Sequence, residues 1–135
     1  MAQLFDVVVI GSGPAGYIAA VRAAQLGLKT ACVEKWRNPN GEMALGGTCL
    51  NVGCIPSKAL LDSSEHFHNA VHQFAHHGIS VENPKADFVK MVQRKSEVVK
   101  SNVDGIAYLM KKNKIDVYTG TGSFLDKQQV VVKAP

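Results

Sequence analysis

The sequence predicts an α/β fold that is built on a parallel β-sheet. Two short apolar runs, Val7 to Ile10 and Thr30 to Glu34, flank a segment of small apolar residues with helical spacing. Continuous apolar runs are typical of strands buried on both faces of a parallel sheet, and the order strand, helix, strand gives a βαβ unit. The 135 residues, 46% of them apolar, suffice for one core. We therefore expect one domain, or part of one.

The helices of this fold have recognisable ends. Pro14 suits the first turn of the helix that follows the first strand, and Gly27 suits its C-terminal end. A second helix is predicted from about Ser57 to His77, where Gly78 ends it, and a third from an Asp87 cap to about Asn113. We expect these two long helices to pack together beside the sheet. Their predicted apolar faces comprise Phe67, Val71 and Phe74 in the first, and Phe88, Met91, Val92, Val99, Val103, Ile106 and Met110 in the second.

The last part of the chain predicts two further strands. The segment IDVYTG, residues 115 to 120, suits a third parallel strand, and QVVVK, residues 129 to 133, suits a fourth. Between them, Gly120, Thr121 and Gly122 predict a tight turn, because glycine tolerates the backbone conformations that such turns need.

Composition and charge argue against membrane and nucleic-acid proteins. The longest apolar run near the start is only Val7 to Ile10, and the first residues lack the basic segment of a secretory signal. The formal net charge is +4, and its lysines are dispersed along the third helix, which favours a solvated face over a nucleic-acid surface. We expect a cytoplasmic protein with no membrane or nucleic-acid partner.

The glycine-rich segment GSGPAG predicts a dinucleotide-binding loop. Gly11 would make the turn, Gly13 would let the backbone approach a pyrophosphate, and Gly16 would let helix and strand pack closely. Glu34, at the end of the next strand, would accept hydrogen bonds from both hydroxyls of a ribose and would repel a 2′-phosphate. The alternative is a glycine-rich turn that binds nothing, and the agreement of motif, strand, helix and acidic residue disfavours it. These residues alone do not distinguish FAD from NAD.

Two cysteines, Cys49 and Cys54, lie in the segment GGTCLNVGCIPSKALL. In a straight helix, residues five apart are rotated by roughly 140° and separated by ~7.5 Å along the axis. A disulfide, whose Cα atoms lie roughly 4.4–6.8 Å apart, would therefore need a distorted segment, for which Gly53 and Pro56 offer places. A strained bridge of this kind is easily reduced, as a catalyst requires. Cys32, within a predicted strand, suits a small buried residue.

Metal binding is the competing interpretation of the two cysteines. His68 and His72 are an i, i+4 pair with the spacing of a chelate, but the cysteine spacing matches no common zinc module. We therefore assign no metal ligands and expect the five histidines to lie mostly on a solvated helix surface. Lys58 is a cation close to any thiolate formed at Cys54 and would lower the pKa of that thiol, unless it is an ordinary exposed lysine.

Taken together, GSGPAG, Glu34 and GGTCLNVGCIPSKALL resemble the flavin-dependent pyridine-nucleotide disulfide oxidoreductases. Within that family, Leu50, Ile55, Ser57 and the run Ala59 to Leu61 resemble the branch that oxidises dihydrolipoamide, whereas glutathione reductases usually carry other residues at matching places. Mercuric reductases are a further alternative. The resemblance covers essentially the whole chain, up to GTGSF, and it implies a Rossmann-like FAD-binding domain that is incomplete.

The resemblance implies roles for ten residues. The cofactor is FAD, and Cys49 is the thiol that exchanges with the dithiol substrate while Cys54 faces the flavin. The implied cofactor contacts are Gly11, Gly13 and Gly16 at the pyrophosphate, Glu34 at the adenosine ribose, Gly47, Thr48 and Lys58 toward the flavin, and a backbone contact from Gly122.

The resemblance also implies parts that these 135 residues do not contain. Residues 1–135 correspond to the N-terminal part of the FAD domain, and family members continue into an NAD domain and a dimerisation domain with a His–Glu acid–base pair. The implied partners are NAD, a second subunit, and dihydrolipoamide on the lipoyl domains of 2-oxoacid dehydrogenase or glycine cleavage complexes. We expect little turnover from this chain alone. The hypothesis from a different class is a truncated, non-catalytic dinucleotide-binding module.

Overall fold

A computed structural model describes residues 2–134 and confirms the α/β class. In chain order the elements are β1 (Val7–Ile10), α1 (Pro14–Gln25), β2 (Thr30–Glu34), α2 (Gly47–Asn51), α3 (Cys54–His72), a 3₁₀ turn (Phe74–His77), α4 (Phe88–Lys112), β3 (Asp116–Thr119), β4 (Thr121–Phe124) and β5 (Val130–Lys133).

The main sheet has three parallel strands in the order β1, β2, β3. The central strand β2 is buried at all five of its positions, as expected for a strand with neighbours on both sides and covered faces. The pairing of Val9 with Cys32 and of Glu34 with Thr119 fixes the register and brings the carboxyl ends of the strands to one edge. In parallel sheets ligands bind outside that edge.

Strand β1 differs from the sequence prediction because only one of its faces is covered. Its burial alternates along the strand, and Val8 and Ile10 are 37% and 44% exposed. Val9 packs against the core on the α1 side, whereas the opposite face receives only part of the β4–β5 hairpin. The expectation of a strand buried on both faces, which was drawn from the first apolar run, is therefore wrong for β1.

The predicted turn at Gly120 to Gly122 is also wrong. Gly120 takes the left-handed φ of +148°, but Thr121–Phe124 continue as strand β4, which pairs in antiparallel fashion with β5. The two strands form a separate two-stranded sheet rather than an extension of the parallel one. A side chain on Gly120 would meet the carbonyl oxygen of Lys133 at 2.3 Å, so this glycine permits close approach of β5.

The two long helices pack against each other as expected, but the bounds of the first differ from the prediction. Helix α3 begins at Cys54 and ends at His72, and the residues up to Gly78, whose φ is +74°, form the 3₁₀ turn. Helix α4 begins after Asp87, whose carboxylate accepts a hydrogen bond from the Lys90 backbone N–H at 3.1 Å. That N-cap was predicted correctly because an aspartate directly preceded the apolar periodicity.

The predicted apolar faces are buried only in part. Phe88 and Val92 are 74% and 51% exposed, and Phe67 and Val71 of α3 are exposed as well. Ile106 and Met110, near the other end of α4, are buried. The core lies there, between α4, α1, α2 and the sheet; its buried members are Ala20, Cys32, Leu45, Leu50, Ile106, Met110 and Ile115. No helix within residues 2–134 is long and apolar enough to cross a membrane.

Candidate functional site

The glycine-rich loop follows β1 and leads into α1 at the carboxyl edge of the sheet. Gly11 has a φ of +95° and donates its N–H to the Val33 carbonyl at 2.7 Å, which fixes the turn out of the strand. A Cβ on Gly16 would lie 1.9 Å from the Gly11 carbonyl oxygen. Gly16 therefore lets helix and strand touch, as the sequence predicted.

Gly13, unlike Gly16, leaves room for a side chain. A Cβ built on it would meet no atom within 4 Å, and its φ of −60° suits any residue. Gly13 is also the N-cap of α1, with no side chain capping the helix. No side chain of residues 2–134 caps the free N–H groups of the first turn, which follow Pro14, and the adjacent Gly13 adds no side chain of its own. Gly11, Gly13 and the first turn of α1 together form a cradle at the edge of the sheet. The cradle fits an anionic pyrophosphate, whose charge the positive end of the helix dipole would stabilise.

The buried carboxylate of Glu34 is held by four donors. Its Oε2 accepts hydrogen bonds from the Ser12 backbone N–H at 2.8 Å and from the Ser12 hydroxyl at 2.6 Å. Its Oε1 accepts from the backbone N–H groups of Lys35 at 2.7 Å and Trp36 at 2.8 Å. Burial alone would raise the pKa of Glu34, but these hydrogen bonds outweigh burial and hold the pKa below its usual value. The carboxylate is therefore a fixed negative charge beside the loop.

The indole of Trp36 is a further polar group that fits a ligand site near Glu34. Its Nε1–H is buried and finds no acceptor among the described residues. Buried donors nearly always have a partner in folded proteins. An acceptor on a bound molecule, two residues from Glu34, would satisfy it.

Ser12 also ties the glycine loop to the segment that carries the cysteines. The Gly46 N–H points to Ser12, lying 3.0 Å from its carbonyl oxygen and 3.1 Å from its hydroxyl oxygen. Gly47 then packs directly on the loop, since a Cβ on Gly47 would lie 2.8 Å from the Gly13 Cα atom. Both Gly46 and Gly47 have positive φ, which glycine adopts at little cost. Close backbone approach thus brings α2 to the edge of the cradle.

The chain breaks its helical path between the two cysteines. Helix α2 carries Cys49 and ends at Asn51, and Gly53, with φ −119° and ψ −108°, turns the chain into α3 at Cys54. A Cβ on Gly53 would lie 3.0 Å from the Thr48 carbonyl oxygen and 3.4 Å from the Cys49 Cα atom. The predicted distortion at Gly53 is therefore present, and the absence of a side chain there lets α3 fold back on α2. Pro56 lies within the first turn of α3 and takes no part in the break.

The two thiols interact although both are free in this structure. The hydrogen bond between the two thiols is the main reason why the pKa of Cys49 is raised, and desolvation adds to it. Cys54 is exposed and Cys49 is half-buried, so an external reagent has access to both.

The expected effect of Lys58 on Cys54 stays a prediction, but Lys58 does act on Cys49. Its positive charge lowers the pKa of Cys49, opposing the stronger effect of Cys54. Lys58 and Thr48 are exposed; Thr48 lies on the short helix α2 with Cys49, and Lys58 lies near the start of α3, which begins at Cys54. The structure thus places these side chains beside the redox segment.

Gly122 lies at the same edge of the sheet. A Cβ on Gly122 would come within 3.2–3.3 Å of the side chains of Ile10 and Val33. Ile10 directly precedes Gly11 of the loop, and Val33 directly precedes Glu34 at the end of β2. The backbone of β4 therefore passes close to the cradle. The third cysteine, Cys32, is fully buried in β2 as predicted, and burial raises the pKa of its thiol to about 11.

Sequence reasoning missed Ser12 and Trp36. Ser12 lies between two glycines of the motif, at a position where the motif accepts many residues. Its hydroxyl was the only signal. Trp36 carried no motif at all. Within residues 2–134 no group of three or more histidine, cysteine or acidic side chains is placed to hold a metal ion.

Comparison with known proteins gives a consistent family. A family model described as pyridine nucleotide-disulphide oxidoreductase matches residues 5–134. A dihydrolipoyl dehydrogenase of Cupriavidus necator is 54% identical over 129 residues, which are 94% of this chain and 27% of the relative. A mitochondrial dihydrolipoyl dehydrogenase of Arabidopsis thaliana is 53% identical over 94% of this chain and 24% of its own length. The chain thus spans about a quarter of the length of these relatives.

One relative has a different name, and one solved structure is similar. A leghemoglobin reductase of Vigna unguiculata is 51% identical over 94% of this chain and 23% of its own length. A solved Escherichia coli protein, a HOCl-induced flavoprotein disulfide reductase in a Cu(II) complex, superimposes with a TM-score of 0.70 at 31% identity. That match covers 94% of this chain and 24% of the solved one.

Proposed function

Since the chain belongs to the pyridine nucleotide-disulphide oxidoreductase family, we propose that it forms the FAD-binding and disulfide-bearing part of a dihydrolipoyl dehydrogenase. Residues 1–135 are then the N-terminal part of the FAD domain. The NAD-binding and dimerisation domains belong to the portion of the relatives that these residues do not match.

The observation that carries this proposal is the contact between Gly47 and Gly13. A cradle suited to pyrophosphate and a segment with two neighbouring cysteines are joined backbone to backbone, with 2.8 Å between a Gly47 Cβ position and the Gly13 Cα atom. A dinucleotide-binding domain that lacked redox chemistry would have no need for this junction. The contact therefore favours a disulfide reductase over a non-catalytic module.

We assign the cofactor contacts to the residues around that junction. Gly11, Gly13 and Gly16 would form the pyrophosphate site. Glu34 would bind the adenosine ribose through the lone pairs that Ser12 and the backbone leave free, and Trp36 would donate its unpartnered indole N–H. The remaining contacts are Gly47, Thr48 and Lys58 toward the flavin and the backbone at Gly122. When bound, FAD supplies a two-electron acceptor that passes a hydride to NAD⁺.

The exchange itself uses Cys49 and Cys54 in their oxidised, disulfide form. One thiolate of dihydrolipoamide attacks the Cys49 sulfur, and the disulfide breaks with its electron pair leaving on Cys54. The second thiolate attacks the mixed disulfide, so that lipoamide departs as a cyclic disulfide and Cys49 leaves as a thiolate, which takes up a proton. Two electrons have then moved from substrate to protein.

A base is needed to deprotonate the substrate dithiol near neutral pH. The five histidines all follow residue 65, in the second half of α3 and the 3₁₀ turn, away from Cys54 at the helix start. None of them is placed beside the two thiols, so the chain would carry out the exchange slowly by itself. The acid–base pair would come from a dimerisation domain.

The partners follow from this proposal. They are NAD⁺, a second subunit in a homodimer, and lipoyl domains of 2-oxoacid dehydrogenase or glycine cleavage complexes. We also propose the cytoplasm as the compartment, where free thiols are kept reduced.

A second candidate is another disulfide reductase of the same family. The leghemoglobin reductase of Vigna unguiculata is nearly as similar as the dihydrolipoyl dehydrogenases, so this part of the chain is common to enzymes with different names. Glutathione and mercuric reductases remain alternatives, and the identity of the reductant that opens the disulfide distinguishes them all.

The test combines flavin binding and disulfide reduction. FAD is titrated into the chain while its fluorescence quenching is followed, and the oxidised Cys49–Cys54 form is then treated anaerobically with dihydrolipoamide, glutathione or NADPH. We expect FAD to bind and dihydrolipoamide to release two titratable thiols. Gly13→Ala should weaken FAD binding by about tenfold or more, because its Cβ would occupy the pyrophosphate approach.

The matched control is Gly105→Ala, whose Cβ also meets no atom within 4 Å but lies in α4. It should leave FAD binding unchanged. A folded chain that binds no FAD, or whose disulfide resists dihydrolipoamide and opens with glutathione, would contradict the proposal.

A further inference from the structure

Two histidines near the end of α3 are neighbours on the helix surface. His68 and His72 are one turn apart, both are exposed, and His72 is the last residue of the helix. Their ring centroids are 4.7 Å apart and the ring planes are inclined by 48°. Such a pair presents two imidazole groups to solvent at one place.

The ring separation matches that of a chelate. With metal–nitrogen bonds of about 2.0–2.1 Å, a nitrogen-to-centroid distance of about 1.2 Å and an angle of about 90–110° at the ion, two imidazoles have centroids about 4.5–5.4 Å apart. The observed 4.7 Å lies within this range. The spacing of the two rings is therefore compatible with one nitrogen of each ring binding a common ion.

Neither ring stacking nor a protein partner within the described residues accounts for the position of the pair. The inclination of 48° is not that of stacked parallel rings. In residues 2–134 neither imidazole forms a hydrogen bond or an ion pair, whereas His66 on the same helix lies 3.7 Å from the Asp62 carboxylate. The nitrogen atoms of His68 and His72 are thus available to an external ligand.

The pair is separate from the cysteine site. Cys54 begins α3 and His68 follows it by 14 positions, which is about 21 Å along a helix that rises 1.5 Å per residue. A metal ion held by the histidines would not contact the thiols.

We propose that His68 and His72 form a two-histidine chelating site for a divalent transition ion that prefers imidazole, namely Zn²⁺, Ni²⁺ or Cu²⁺. Water would complete the coordination, because the described residues offer no third side-chain ligand. Hard ions such as Mg²⁺ and Ca²⁺ favour oxygen ligands and would not bind. The bound ion would link the last two turns of α3 and stabilise the helix end before the 3₁₀ turn.

The test is calorimetric titration of ZnCl₂ into the chain that carries Cys49→Ser and Cys54→Ser, which removes the competing thiols. Cys32 does not compete, because its thiol is fully buried and its pKa is raised to about 11. We expect one equivalent of Zn²⁺ to bind and MgCl₂ to give no signal. His68→Ala and His72→Ala should each weaken Zn²⁺ binding by at least about tenfold, because a chelate that loses one arm loses its intramolecular second bond.

The matched control is His66→Ala. His66 lies two residues from His68, so it projects about 200° away around the helix, and its loss should not change Zn²⁺ binding. Saturating Zn²⁺ should also raise the midpoint of thermal unfolding of the parent chain but not that of His72→Ala. Absence of stoichiometric binding, or equal weakening by His66→Ala and His68→Ala, would overturn the proposal.

Discussion

The hydroxyl of Ser12 donates a 2.6 Å hydrogen bond to the carboxylate of Glu34, which lies 22 positions further along the chain. The same serine accepts a hydrogen bond from the backbone N–H of Gly46. One fully buried side chain thus connects the glycine loop, the end of β2 and the approach to the cysteine helix. The geometry of the candidate site therefore depends on this side chain as well as on the glycines.

Replacing Ser12 by alanine should destabilise the chain by about 1–3 kcal/mol, because it removes a donor from a buried carboxylate and an acceptor from Gly46. Urea unfolding measures the effect. The matched control is Ser96→Ala, whose hydroxyl bonds the Val92 carbonyl on exposed helix surface and whose loss should cost at most about 0.5 kcal/mol. Equal free energies of unfolding for the two variants would show that the buried network contributes nothing.

We expect Glu34 to make the free energy of unfolding depend on pH. The folded-state pKa of Glu34 is lowered by its hydrogen bonds, so its stabilising effect is complete above the unfolded-state pKa of about 4.3 and is lost as pH falls through the folded value. The difference in unfolding free energy between the native chain and Glu34→Gln should therefore be constant from neutral pH to about pH 5.5. Below about pH 4.3 it should shrink.

Urea unfolding at a series of pH values gives this profile, and Glu82→Gln, in an exposed loop, is its control. That control should show no comparable change. A difference that grows as the solution is acidified would mean that the folded-state pKa of Glu34 is raised instead.

The sequence predicted the βαβ unit and the glycine loop because these depend on local features. A continuous apolar run, a proline at the first helical position and closely spaced glycines act within a few residues of each other. Asp87 likewise capped α4 at the predicted place, since the capping bond joins residues three apart. Gly16 met its predicted role for the same reason.

The errors involve contacts between distant segments. Gly120 and Gly122 suggested a turn. In the structure, the lack of a side chain instead lets Gly120 pack closely against Lys133 and Gly122 against Ile10. Nothing near Val8 in the chain reveals that its face of β1 lacks a covering layer. The link from Ser12 to Glu34 and Gly46 joins three segments far apart in sequence, so periodicity could not reveal it.

Gly16→Ala and Gly13→Ala should separate packing from ligand approach. The new Cβ of Gly16→Ala would overlap the Gly11 carbonyl oxygen at 1.9 Å, so backbone must move and stability should fall by about 3 kcal/mol or more. Gly13→Ala meets no atom within 4 Å and should keep the native unfolding midpoint. Thermal unfolding of both variants without ligand measures the contrast, and a destabilised Gly13→Ala would show that its backbone, too, is closely packed.

Lys58 should control how readily Cys49 reacts. Its charge lowers the pKa of Cys49, so Lys58→Gln should raise that pKa further, leave less thiolate near pH 8 and slow alkylation of Cys49. Mass spectrometry of iodoacetamide-treated peptides over a pH series measures the rate at each cysteine. Lys58→Arg keeps the charge and should restore the rate. Lys85→Gln removes an exposed charge in the loop before α4 and should behave as the native chain. If Lys58→Gln and Lys85→Gln gave the same pH profile at Cys49, the lysine would act on the flavin side alone and not on the thiol.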